Sequence, residues 1–123
     1  MDIEIYSKKA IEIVNYRIKI LAKTINLIKR LDNFKTIEEI AGRWYYRTED
    51  CLEKYLNRDE VLRYEENVGS FFGYKTKEEI IDCLKNCRKF LKKIIRDLEL
   101  LPEDMLILRY DKEKILDIEI PKN

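Results

Sequence analysis

With 123 residues, 46% of them hydrophobic and 40% charged, the chain can bury a core without disulfide or metal staples. Only 3 Gly and 2 Pro argue against a loop-rich β fold, and the absence of His removes the commonest general base and zinc ligand. A formal net charge of +1 does not announce a nucleic-acid binder, so any surface of that kind must be local.

In chain order, the acidic start Met1-Asp2-Ile3-Glu4-Ile5 is unlike an export signal, and Lys or Arg interrupts every apolar run before it could span a membrane. The odd set Cys51, Cys83 and Cys87 fits reduced thiols, so the expected location is the cytoplasm. A long helix is expected over residues 6–31. There Ile11, Val14, Ile18, Leu21, Ile25 and Ile28 alternate steps of three and four, and Ile13, Ile20 and Leu27 widen the stripe.

Thr36-Ile37-Glu38-Glu39 has the form of a capping box that opens the middle helices, residues 36–67. Ile37, Ile40, Ala41, Trp44, Cys51, Leu52, Tyr55 and Leu56 form their apolar face, and the pattern fits one bent helix or two. Trp44 is expected in the core, which leaves Tyr45 or Arg47 for an outside contact. Residues 68–75 break the pattern with two glycines and the aromatics Phe71, Phe72 and Tyr74. These side chains either plug the end of a bundle or anchor a partner.

Thr76-Lys77-Glu78-Glu79 repeats the capping box and opens a long helix over residues 76–101. Its apolar ladder is Ile80, Leu84, Cys87, Leu91, Ile94, Leu98 and Leu101. Cys83 and Cys87, one turn apart, read as small core residues, and no metal or cofactor is expected. The stretch from Lys85 to Arg96 holds Lys85, Arg88, Lys89, Lys92, Lys93 and Arg96 and no acid. Asp32 to Glu66, by contrast, carries ten acids against six bases. The run is either a solvated face beside acidic neighbours or a phosphate-facing surface.

Residues 102–120 are read as short C-terminal elements. Pro102 is expected to open a short helix, with Glu103 and Asp104 complementing its dipole. Leu116-Asp117-Ile118-Glu119-Ile120 suits either a helix or a strand, and as a strand it can pair with Asp2-Ile3-Glu4-Ile5 in a clasp between the termini.

Glu66-Asn67-Val68-Gly69, the charged helix from Thr76 to Leu100, and Leu101-Pro102-Glu103-Asp104-Met105-Leu106-Ile107-Leu108-Arg109-Tyr110 together resemble phage late-transcription regulators of the RinA and ArpU type. Their C-terminal part is like region 4 of a sigma factor. The likeness covers residues 66–120 and implies a linker, a platform helix and the first helix of a DNA-binding unit. In that family a recognition helix follows; here Pro121-Lys122-Asn123 closes the sequence, so a platform without its base reader is the expectation.

The expected fold is therefore all-α: one domain of four or five helices, two of them long and heptad-patterned, with a β clasp as an optional addition. The two long seams should pack on each other or across a homodimer. The expected function is non-enzymatic: a phage-type regulator of transcription that holds nucleic acid on Lys85, Arg88, Lys89, Lys92, Lys93 and Arg96. The alternative is an inhibitor or adaptor, for example a counter-defence factor, that docks on a host or phage protein through Phe71, Phe72 and Tyr74 or a charged face.

Overall fold

The computed structural model describes residues 2–56, 58–68 and 73–111. Among them are four helices and one two-stranded antiparallel sheet: β1 (Asp2–Tyr6), α1 (Ser7–Lys29), α2 (Phe34–Tyr55), α3 (Arg58–Val68), α4 (Lys77–Glu99) and β2 (Leu106–Asp111). The molecule is an all-α bundle with a small β clasp. None of these helices is long and apolar enough to cross a membrane.

The two long seams meet. Helices α1 and α4 share the most extensive helix–helix interface, and α2 and α3 close the remaining sides. Leu21 and Ile28 of α1 and Leu84 and Leu91 of α4 are wholly buried, each contributing about 1.5–3 kcal/mol of transfer free energy. On α1 the buried face follows the expected line and extends it towards the N-terminus. Val14, Leu21, Ile25 and Ile28 of that line are buried, as is Ile13 beside it, while Ile11, Ile18 and Ile20 are half-buried against the core and Leu27 is 43% exposed; Ser7, Ala10 and Arg17 are buried as well.

The middle region is two helices. It breaks at Leu56, whose φ of −113° and ψ of −81° leave the helical region. The N-cap of α2 is Asn33, whose side chain accepts from the Thr36 amide at 3.1 Å, so Thr36 lies inside the helix and is not its cap. Asn33 competes well for this role because its carbonyl oxygen reaches the free amides of the first turn. Thr76 caps α4 as expected, its hydroxyl accepting from the Glu79 amide at 3.1 Å and donating to the Glu79 carboxylate at 3.2 Å. Tyr45, a candidate for an outside contact, is instead 2% exposed and stacks on Tyr64 of α3 at 5.0 Å between ring centroids.

The C-terminal segment departs most from expectation. In place of a helix from Pro102, residues 102–105 turn, with the Met105 amide donating to the Pro102 carbonyl at 3.0 Å, and Leu106–Asp111 forms β2. The reason lies at the start of α1. Its N-cap, Tyr6, provides no side-chain acceptor, and the first amides of any helix are orphans. The turn fills the gap: Ser7 and Lys8 donate their amides to the carbonyls of Met105 at 2.9 Å and Glu103 at 3.2 Å, and the Ser7 hydroxyl donates to the Pro102 carbonyl. A helix starting at Pro102 would spend those carbonyls on its own amides.

The clasp joins β1 to β2, with Asp2 opposite Asp111, Ile5 opposite Leu108 and an irregularity between Ile5 and Tyr6. Its second strand is thus Leu106–Asp111, and the expected partner Leu116–Ile120 lies outside the described residues. Ile5, 3% exposed, and half-buried Ile107 tie the ribbon to the core. Packing of this kind is what a two-stranded ribbon needs to persist.

The caps give a direct check. Asn33→Ala and Thr76→Ala should each cost about 1 kcal/mol in urea unfolding, whereas Thr36→Ala should stay within about 0.5 kcal/mol of the parent. The reverse order, with Thr36→Ala the costlier, would overturn the assigned start of α2.

Candidate functional site

Helix α4 has a strongly two-sided sequence. Ile80, Leu84, Cys87, Leu91, Ile94 and Leu98 point into the bundle. At about 100° per residue, Lys85, Lys89, Lys92 and Arg96 then fall on the opposite side, with Arg88 and Lys93 at its margins. Lys85, Lys89, Lys92, Lys93 and Arg96 are exposed and Arg88 is half-buried. The six form one stripe about 16 Å long, from the helical rise, and none of them engages a carboxylate among the described residues. Such a stripe can hold a row of phosphates by charge, but nothing in it fixes a base edge.

The aromatic loop is only partly described. Phe71 and Phe72 lie outside the described residues. Tyr74 is half-buried and packs against the core, where its hydroxyl is hydrogen-bonded to Cys83.

Tyr74, Cys83, Cys87 and Tyr64 form a chain of polar atoms inside the apolar core. The Tyr64 hydroxyl donates to Cys87 Sγ at 3.5 Å. Hydrogen bonds from Cys87, and then from Tyr74, hold the Cys83 thiol down to about 7 against the effect of its burial. Cys87, which supplies the proton, is pushed up by the same bond and by burial. Cys51 stands apart, and burial pushes it up to about 12.

A feature that the sequence reading missed lies between α1 and α2. Arg17, only 6% exposed, reaches across to α2. Its Nε donates to Thr48 Oγ1 at 3.0 Å and its Nη2 to the Trp44 carbonyl at 3.2 Å. The Trp44 indole N–H returns a bond to the Arg17 carbonyl at 3.1 Å, and the guanidinium carbon sits 5.8 Å from the Trp44 ring centroid. Beside this lock opens a cleft of about 210 Å³ lined by Arg17, Ile20, Thr24, Ile40, Arg43, Trp44 and Arg47. Burial, above all, depresses the Arg17 pKa from its ordinary value, and Arg47 adds to that. The signal was present in the spacing: Arg17 lies three residues after Val14 and four before Leu21, on the stripe that must be buried.

No protein-family model, no curated protein and no solved structure matches this chain. Its chemistry must therefore be argued from these side chains.

The cysteine chain predicts a titration. In reduced protein, thiolate absorbance at 240 nm should rise in one step with a midpoint of about 7, the step belonging to Cys83. Cys83→Ser should remove it, and Tyr74→Phe should move the midpoint upward by taking away a donor to the thiolate. A flat absorbance through neutrality would show that the two hydrogen bonds do not outweigh burial.

Proposed function

We propose that this protein is a small, non-enzymatic regulator that holds nucleic acid against the outer face of α4. The observation that carries the reading is the stripe Lys85, Arg88, Lys89, Lys92, Lys93 and Arg96: six cations, no interrupting acid, on the side of the helix turned away from its core residues. Neutralising a row of phosphates releases their counterions, and the gain requires only closely spaced charge. Transcription as the setting comes from the resemblance of residues 66–120 to phage late-transcription regulators.

Phosphate contacts position a protein without specifying a sequence. The reading therefore assigns α4 an anchoring role, with weak discrimination between duplexes. The acids of α2 and α3 supply the complementary restraint. Glu49, whose pKa is raised by burial and then by Glu65, belongs to an acidic patch shared by α2 and α3 that a polyanion would avoid.

Fluorescence anisotropy with a labelled duplex tests this. Affinity should fall with salt along a log–log slope of about −3 to −5, the value for three to five phosphates. Lys89→Glu with Lys92→Glu should weaken binding at least about tenfold while leaving the melting temperature unchanged, since both side chains are exposed. Absence of binding at low salt, or equal binding by the double variant, would overturn the proposal.

A further inference from the structure

The cleft between α1 and α2 concentrates positive charge without balancing it. Arg17 carries five N–H donors and uses two of them, towards Thr48 and the Trp44 carbonyl. Arg43 and Arg47, four apart on α2, bring two more guanidiniums to the same rim about one helical turn from each other. Among the described residues none of the three is paired with a carboxylate. Glu39 and Asp50 stand one turn beyond Arg43 and Arg47, but neither lines the cleft. The Cys51 thiol below is neutral and supplies no counter-charge.

A buried cation normally has a partner, because desolvation otherwise opposes its charge. Here the partial compensation is a carbonyl, a hydroxyl and the face of Trp44. The rest of the lining is apolar, Ile20 and Ile40 beside Trp44, with the Thr24 hydroxyl committed to the Ile20 carbonyl at 2.9 Å. Three arginines lining one cleft with an otherwise largely apolar wall suit an oxyanion with more acceptor oxygens than a carboxylate, attached to a compact apolar group. A volume of about 210 Å³ admits a phosphate and one small ring, not a length of polymer.

We propose that this cleft is a binding site for a small phosphate monoester, with Arg17, Arg43 and Arg47 holding the phosphate and Ile20, Ile40 and Trp44 receiving its apolar substituent. The site is separate from the α4 stripe. It gives the protein a small-molecule ligand in addition to whatever polymer α4 holds. Because Arg17 and Trp44 also lock α1 to α2, ligand charge is felt directly at that helix pair.

Thermal unfolding with inorganic phosphate and with phenyl phosphate tests the site, using potassium chloride of equal ionic strength as the control. Both phosphates should raise the melting temperature saturably, by about 3 °C or more, with phenyl phosphate effective at lower concentration. Arg17 variants can fail to fold, so the informative variant is Arg43→Ala with Arg47→Ala, both exposed on the rim. It should keep the parent melting temperature without ligand and lose at least about tenfold in apparent affinity. Lys89→Glu with Lys92→Glu should leave the phosphate effect intact, which separates this site from the α4 reading. No rise, a rise matched by chloride, or a rise unchanged in the arginine double variant would overturn the proposal. So would protection by a DNA duplex alone, which would assign the arginines to polymer phosphates.

Discussion

The structure depends on the contact between α1 and α4. Each helix brings a continuous apolar line, and the two lines cover each other. Once Leu21, Ile28, Leu84 and Leu91 are removed from water together, α2 and α3 can only pack along the two open sides of that pair. The placement of every charged group follows. The cations of α4 are forced outward because the other side of the helix is committed, and Arg17 is forced inward because it shares a line with Val14 and Leu21.

Those two outcomes differ in energy. An exposed lysine stripe costs little and exerts a field that salt screens within about 10 Å. A buried arginine loses hydration that a carbonyl, a hydroxyl and an indole face restore only in part. Thr48, with no exposure, has few reasons to be polar other than to meet Arg17. Two polar residues on facing helices, each buried and each bonded to the other, fix the register of α1 against α2 more narrowly than apolar contacts would.

Much of this was legible in the letters. The alternation of threes and fours located the long helices, and Thr76 with Glu79 located the start of α4. Other points required knowledge of neighbours. Thr36 has as good a capping pattern as Thr76, and only the competing Asn33 displaces it. Residues 102–110 carry helix-start letters, yet the unmet amides of Ser7 and Lys8, about a hundred positions earlier, decide their conformation. A rule about local sequence cannot see an acceptor shortage elsewhere. The same holds for the cleft: Arg43 and Arg47 look like ordinary surface charges until Arg17 is placed beside them. The stripe on α4, in contrast, could be read directly, since one helix supplies all of it.

Both ends of α1 are completed by distant chain. At its start the turn at Pro102–Met105 supplies acceptors, and at its end the Lys77 ammonium donates to the carbonyls of Lys29 and Leu31, each at 2.9 Å. Helix α1 is thus fully satisfied only after two later segments of the chain are in place. Its closure requires loops of some fifty and one hundred residues, the kind of non-local contact that slows folding. During synthesis the amino-terminal half holds an apolar helix with open ends and no α4 to cover it. The seam is covered only when α4 emerges and the helix start is satisfied only when the turn before β2 follows, so a chain interrupted before α4 would present the apolar face of α1 to whatever else is in solution.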